Sequence, residues 1–210
     1  MKKKILIFDF DGVLFDSPKL VSKFFLSLYP TMTQKIINEL LCGNFIVELE
    51  KFKLENKPVE ETPEEREARS LAYSARKLKV PLYKDIKEML EMLHGMGHVL
   101  TINTSALGKN CLPLLQYSGI EELFDFVGTK EVAASKVEKF RIIKDKYSVI
   151  EEDMIFITDT LGDIREADEA RVPTIAVTWG AHDRSYFNRE PHENLIKIVD
   201  SVSELEVFLK

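Results

Sequence analysis

Residues Ile5–Phe8 read Ile-Leu-Ile-Phe, four apolar residues in a row, and they run directly into Asp9 and Asp11. A strand with one face in water alternates apolar and polar residues. An unbroken apolar run suits a parallel strand covered on both faces. This run therefore predicts a central strand of a parallel sheet, ending in carboxylates at a place where buried charge is costly. Similar runs recur at Val99–Asn103, Met154–Thr158, Thr174–Thr178 and Leu195–Val199, with a shorter strand at Phe126–Val127. Helical patterns lie between them. Ile86, Met89, Leu90 and Leu93 fall at i, i+3, i+4 and i+7, and Gly95 and Gly97 stop that helix. Val137, Phe140, Ile143 and Tyr147 share roughly one face of the next helix, and Asp163–Val172 fills the gap between two later strands. Strand and helix in alternation predict an α/β fold, a doubly wound parallel sheet.

Residues 17–79 break this rhythm. They hold no strand-like run, and Ser17-Pro18 and Thr62-Pro63-Glu64-Glu65 are helix starts, the second with capping-box spacing. The expected organisation is a core of residues 1–16 and 80–210, with an all-helical insertion of residues 17–79 after the first strand. A chain of 210 residues is long enough for one such domain with its insertion. The net charge of −6 gives no basic surface for nucleic acid, although a small phosphorylated molecule needs only a local cation. Cys42 and Cys111 lie far apart without metal-ligand spacing and fit a reducing compartment as small buried hydrophobes. The apolar run after Met-Lys-Lys-Lys stops at Asp9, and no run reaches the roughly 18 residues of a membrane span. The expectation is a soluble, cytoplasmic protein with no membrane or nucleic-acid partner; the sequence is silent on oligomeric state.

In an open parallel sheet, ligands bind beyond the carboxyl ends of the strands. Asp9 and Asp11 stand after the first strand, Thr104 and Ser105 after the second, and Asp159 and Asp163 after the strand Met154–Thr158. Lys136 opens the helix that follows the short strand. Aspartates in turns are common, and Asp159 and Asp163 also suit a helix N-terminus. Three adjacent carboxylates, however, raise one another's pKa unless a cation joins them. Mg²⁺ takes one or two carboxylates, waters and substrate phosphate oxygens. Thr104, Lys136 and backbone N–H groups match the remaining phosphate oxygens. One aspartate can then act as nucleophile and another as proton donor.

Asp-Phe-Asp-Gly-Val-Leu-Phe-Asp-Ser at residues 9–17 resembles the first motif of the haloacid dehalogenase-like hydrolase superfamily. Gly97–Ser105 resembles its second, Glu122–Lys136 the segment leading to its third-motif lysine, and Met154–Gly180 its fourth motif and sequel. The resemblance covers the core, and the insertion sits where this family, in its phosphoglycolate phosphatase and β-phosphoglucomutase-like members, carries a helical cap. It implies a Rossmann-like core and a Mg²⁺-dependent phosphatase acting on a small phosphorylated metabolite through an aspartyl-phosphate. By position, Asp9 is the implied nucleophile and metal ligand. Asp11 is the implied acid/base, with its carbonyl on the metal. Gly12, Thr104, Ser105 and Lys136 bind phosphate, Asp159 completes the Mg²⁺ site and Asp163 supports it. Thr158 replaces the usual glycine before the fourth-motif aspartate and Val137 the usual proline after the lysine, which leaves Lys130 and Lys139 as alternatives to Lys136.

Three rivals share parts of this pattern. A phosphomutase shares the core residues and differs only in its cap. A receiver module has an acidic pair, a hydroxyl and a lysine, but its phosphoacceptor lies on a later strand. A binding protein could keep the fold without turnover. Asp11 argues against carbon–halogen and phosphonate hydrolysis. Asp16 is expected to serve the cap entry, Trp179 to pack at a strand end, and His182 and Arg184 to lie in a solvated loop. The substrate is set by the cap, where Asn44, Phe45 and Lys51 are candidates by position alone.

Overall fold

The computed structural model describes residues 3–210 and lays the apolar runs side by side in one parallel sheet. The first half of the chain forms β1 (Ile5–Phe8), α1 (Pro18–Leu28), α2 (Gln34–Leu40), α3 (Phe45–Glu55), α4 (Pro63–Lys77), α5 (Ile86–Gly95) and β2 (Val99–Asn103). The second half forms α6 (Gly108–Tyr117), β3 (Phe126–Gly128), α7 (Lys136–Tyr147), β4 (Met154–Thr158), α8 (Leu161–Ala170), β5 (Thr174–Val177), α9 (Arg184–Phe187), β6 (Leu195–Val199) and α10 (Val202–Leu209). β1, β2, β4 and β6 have the predicted bounds; β3 is one residue longer and β5 one shorter.

The strand order is β3-β2-β1-β4-β5-β6, with every neighbouring pair parallel. The chain winds outward from β1 through β2 and β3, then crosses back and winds outward the other way from β4. This is the predicted doubly wound sheet, and its reversal point opens a crevice beyond the carboxyl end of β1. Both faces of β1 are covered. Leu6 and Phe8 join Ile86 and Leu90 of α5 and Leu114 of α6, while Ile5 and Ile7 join Phe140 and Ile143 of α7 and Ala167 of α8. Leu6, Ile7 and Phe8 are fully buried, each worth about 1.5–3 kcal/mol relative to an exposed side chain. That burial fixes the height at which Asp9 leaves the sheet. Phe8 pairs with Ile102 and with Ile157, so Asp9 sits one residue below Thr104 and Asp159 on the two flanking strands.

The helices α1–α3 gather around a smaller cluster of their own, Tyr29, Met32, Ile37 and Leu49, and α4 packs on α1 through Tyr73 and Phe24. Thr62 forms the predicted capping box, accepting from the Glu65 N–H at 3.2 Å while Glu65 accepts from the Thr62 N–H at 2.9 Å. Ser17 departs from expectation. The helix does start at Pro18, but the Ser17 side chain makes no capping bond and turns inward to the Asp11 carboxylate.

The helical segment meets the sheet domain where α2 abuts the start of α8. The Gly162 N–H donates to the Leu41 carbonyl at 2.9 Å, and a Cβ on Gly162 would come within 2.1 Å of the Gly43 carbonyl oxygen. Backbone cannot swing away as a side chain can. Gly162→Ala is therefore expected to cost about 1–3 kcal/mol, the usual range for overpacking, read as a lowered melting temperature. An unchanged melting temperature would show that this contact gives way freely.

Candidate active site

A cavity of about 650 Å³ separates the carboxyl edge of the sheet from α1–α4, and Asp9, Asp11, Thr104, Ser105, Lys136, Asp159 and Asp163 all line it. The strand ends named from sequence thus converge on one space. Lys136, the first residue of α7, is its electrostatic centre. Its Nζ lies 2.8 Å from Asp9 Oδ1 and 2.8 Å from Asp163 Oδ2, and the residue is 1% exposed. Ser135 caps that helix by accepting from the Val137 N–H at 3.0 Å, so the helix starts without the family's proline. Glu166 of α8 accepts from the Lys136 N–H at 2.9 Å, holding the lysine's backbone in place.

Burial and charge pull against each other here. Burial pushes the Asp9 carboxyl up, Lys136 opposes it, Asp163 adds to it, and the group ends at about 6. Burial favours a neutral Lys136, but the carboxylates of Asp163 and Asp9 outweigh it and hold the ammonium well above its ordinary value. Asp159 is raised well above the usual carboxylate range by burial and then by the charge of Asp9.

Asp159 is held almost entirely by backbone. Its Oδ2 accepts from the Ala181 N–H at 2.7 Å, and its carbonyl accepts from the His182 N–H at 3.1 Å. Two glycines let the chain close on it. A Cβ would reach 1.9 Å from Asp159 Oδ2 at Gly12, which has φ +80°, and 2.3 Å at Gly180. Gly12 therefore belongs to the packing around Asp159. Its N–H donates to the Phe15 carbonyl at 3.0 Å. Gly180 was legible only as part of a Trp-Gly pair.

Asp163 lies behind Lys136. Its Oδ2 accepts from Thr158 Oγ1 at 2.6 Å as well as from the lysine. Thr158, the departure from the family's glycine, thus supplies a hydroxyl to this carboxylate. Of the two alternative lysines, Lys139 is fully buried and donates to the Thr104 carbonyl at 2.6 Å. Burial, then the charge of Lys136, lower it to about 8. Lys130 is exposed at the cavity. The Thr104 hydroxyl accepts from the Ala106 N–H at 3.1 Å, closing the turn after β2.

Asp11 holds the largest surprise. Lys77, the last residue of α4, is 1% exposed and ion-paired to Asp11 Oδ1, the same oxygen that accepts from Ser17. Its Nζ also lies 5.5 Å from the Phe10 ring centre. In the sequence Lys77 looks like one more cation on a charged surface helix. Nothing local marks it, because its partner lies 66 residues away.

His182 also overturns its expectation of a solvated loop. It is 1% exposed; the Leu161 N–H donates to its Nδ1 at 3.0 Å, and its Nε2 lies 2.9 Å from the Asn38 carbonyl oxygen. An accepting Nδ1 places the ring proton on Nε2, donated to Asn38 of α2. Arg184 does stay exposed, paired with Asp200 at 2.7 Å. Burial lowers the His182 pKa below its ordinary 6.5; Arg189 also lowers it, while the Asn38 bond, Asp163 and Glu39 oppose. A depressed histidine is neutral in the folded protein and takes up a proton more readily when unfolded. Stability should therefore fall as pH drops below about 6.5. The loss of melting temperature between pH 7.5 and 5.5 is expected to be smaller in His182→Gln, which cannot titrate. An equal loss in both proteins would count against it.

Asp16 is exposed, and its N–H donates to the Pro81 carbonyl at 3.0 Å. Trp179 packs as expected, its Nε1 donating to the Val13 carbonyl at 3.3 Å. Both cysteines are buried and free. Phe45 lines the cavity, Asn44 instead bonds Glu166 at 3.0 Å, and Lys51 is exposed beside Glu48.

A family model described as haloacid dehalogenase-like hydrolase matches residues 6–177. The chain belongs to this hydrolase family. Among curated proteins, this haloacid dehalogenase-like chain is 27% identical to the probable phosphatase IndB of Dickeya dadantii, over 97% of its own length and 92% of that protein's. It is 29% identical to a phosphoglycolate phosphatase of Aliivibrio fischeri over 47% of its length, and spans 45% of that relative. Among solved structures, CbbY from Rhodobacter sphaeroides in complex with phosphate superposes with a TM-score of 0.76 at 20% identity, over 97% of this chain and 96% of that one. A haloacid dehalogenase-like family protein from Streptococcus pneumoniae gives 0.74 at 22% identity, over 99% of each. At such identity the structures establish the fold. Among the described residues no helix is long and apolar enough to cross a membrane.

Proposed function

We propose that this chain is a Mg²⁺-dependent phosphatase that hydrolyses a phosphomonoester through an aspartyl-phosphate on Asp9, with residues 17–79 as its cap. The observation that carries the reading is the fully buried Lys136 bridging Asp9 and Asp163 at the floor of the cavity. A charge cluster of this kind is costly to bury and belongs at a site that binds ionic groups.

The residues fit a magnesium ion. Asp159 Oδ1 is buried without any hydrogen-bond partner, and both Asp159 and Asp9 are pushed toward neutrality by burial. Among the described residues no three acidic, histidine or cysteine side chains stand together as a ready-made cation cage. A pair suffices, since Mg²⁺ is ordinarily held by one or two carboxylates, waters and substrate phosphate. Asp9 and Asp159 would hold it, with the Asp11 carbonyl, while Asp163 acts through Lys136. When bound, such an ion neutralises charge on the phosphoryl oxygens.

The chain's own groups account for the remaining steps. Thr104 and Lys136 bind phosphoryl oxygens and orient phosphorus toward Asp9. An Asp9 carboxylate oxygen bonds to phosphorus as the phosphorus–alkoxide bond breaks, and Asp11 gives its proton to the departing oxygen. Asp11, now ionised, takes a proton from water as the water oxygen attacks phosphorus, which frees Asp9 and inorganic phosphate. Lys77 and Ser17 hold Asp11 Oδ1, leaving the other carboxyl oxygen to carry that proton.

Purified protein with Mg²⁺ is expected to release phosphate from an aryl phosphate, and chelation is expected to abolish release. Mg²⁺ alone should raise the melting temperature, by mass action on the folded state. Turnover indifferent to the chelator would remove the metal from the mechanism.

A further inference from the structure

The cavity has two chemically different ends. Its floor carries Asp9, Lys136 and Asp159, while its cap wall carries Val21, Phe24, Phe25, Phe45 and Ile46. These five side chains are only partly buried and leave apolar surface toward the space, with Phe25 and Phe45 also packing against the cap's own cluster. Phe24 packs at a tilt against Tyr73 with ring centres 4.7 Å apart, Phe25 meets Phe45 edge-on at 5.2 Å, and Phe24 meets Phe25 edge-on at 5.4 Å, forming a continuous aromatic surface. The uncharged polar groups on that side include the Tyr73 hydroxyl, kept protonated by burial, and the amides of Gln34 and Asn38.

The cations besides Lys136 that line the cavity are either paired or exposed. Lys77 is committed to Asp11, and Lys53 is paired with Glu50 at 2.6 Å. The other lining lysines, Lys19, Lys109 and Lys130, are solvent-exposed. A second carboxylate or phosphate on the substrate would thus find no buried cation at the cap end, and binding an unpaired charge against apolar surface is costly. The size agrees: about 650 Å³ lies within the roughly 300–1,000 Å³ of sites that enclose drug-sized ligands. A phosphorylated two-carbon acid would leave most of that apolar surface in contact with water.

Resting on the phosphatase reading above, we infer that the substrate is a phosphomonoester of an uncharged alcohol with a bulky apolar or aromatic body, its phosphate on the Asp9 floor and its body on the aromatic cap wall. Burying a ring there removes apolar area from water on both partners.

The test compares 2-phenylethyl phosphate, 2-hydroxyethyl phosphate and phosphoglycolate with Mg²⁺ present. All three are primary alkyl esters, so the contrast reads recognition of the body rather than a large difference in leaving group. The expected kcat/KM for 2-phenylethyl phosphate is at least about tenfold above either of the others. Ile46→Lys, which puts a cation into the wall, should lower that value about tenfold through KM and raise the value for phosphoglycolate. Equal or better turnover of phosphoglycolate by the unaltered protein would overturn the substrate class while leaving the phosphatase reading standing. Absence of turnover with all three and with an aryl phosphate would overturn the phosphatase reading and this inference with it.

Discussion

Asp9→Asn is expected to reduce phosphate release by about four orders of magnitude, as removal of an acting nucleophile does. The amide has nearly the shape of the carboxylate, and its oxygen can still accept from Lys136, which lies 2.8 Å away. What disappears is the charge that attacks phosphorus. The fold should be untouched or slightly firmer, because the carboxyl already resists ionisation and is pushed up to about 6 by burial. Circular dichroism and a thermal melt run beside the phosphate assay separate the two effects. Wild-type turnover in a well-folded Asp9→Asn protein would sink the aspartyl-phosphate mechanism.

Lys136→Met is expected to abolish activity and to destabilise the protein as well. The substitution keeps volume but removes the only cation that contacts both Asp9 and Asp163 among the described residues. Stripping one partner from a buried ion cluster costs about 3–5 kcal/mol, or roughly 6–20 °C in melting temperature for a chain of this size. The pH dependence has a definite sign. Without the lysine, the Asp9 carboxyl rises further above its unfolded value, so the folded protein binds the extra proton. The variant is therefore least impaired in acid and loses stability as pH rises through the folded pKa. Adding Asp163→Asn should restore part of the melting temperature and none of the activity. A Lys136→Met protein with normal stability at pH 8 would mean that the cluster is solvated and not buried.

The outer architecture was readable because its physics is local. A parallel strand buried on both faces is mostly apolar, and Ile5–Phe8, Val99–Asn103 and Met154–Thr158 show this in four or five residues each. The capping box at Thr62 and Glu65 is equally local. The acids at the ends of β1 and β4 were legible because strand register is predictable once the sheet is. β1 and β4 pair Phe8 with Ile157, which brings Asp9 and Asp159 to the same edge.

The connections between the helical segment and the sheet were not readable, because each is made by a residue with an ordinary local reading. Lys77 lies in a helix whose first turn is acidic and last turn basic, a pattern any solvated helix shows. Ser17 stands in a helix N-cap position yet spends its hydroxyl on Asp11. His182 follows a Trp-Gly-Ala turn and looked exposed, yet it joins the start of α8 to Asn38 of α2. Gly12 belongs to a local motif, and only the fold shows that its missing Cβ also makes room for Asp159.

Apolar periodicity and strand register act within a few residues, so they lay out the sheet and the side chains that stand at its carboxyl edge. What holds those side chains comes from the way the chain folds back on itself. It brings Lys136 between two aspartates and folds Lys77 back onto Asp11. It also sets an aromatic wall opposite them. These are contacts between distant segments, where burial makes a charge choose a partner that no neighbouring residue names.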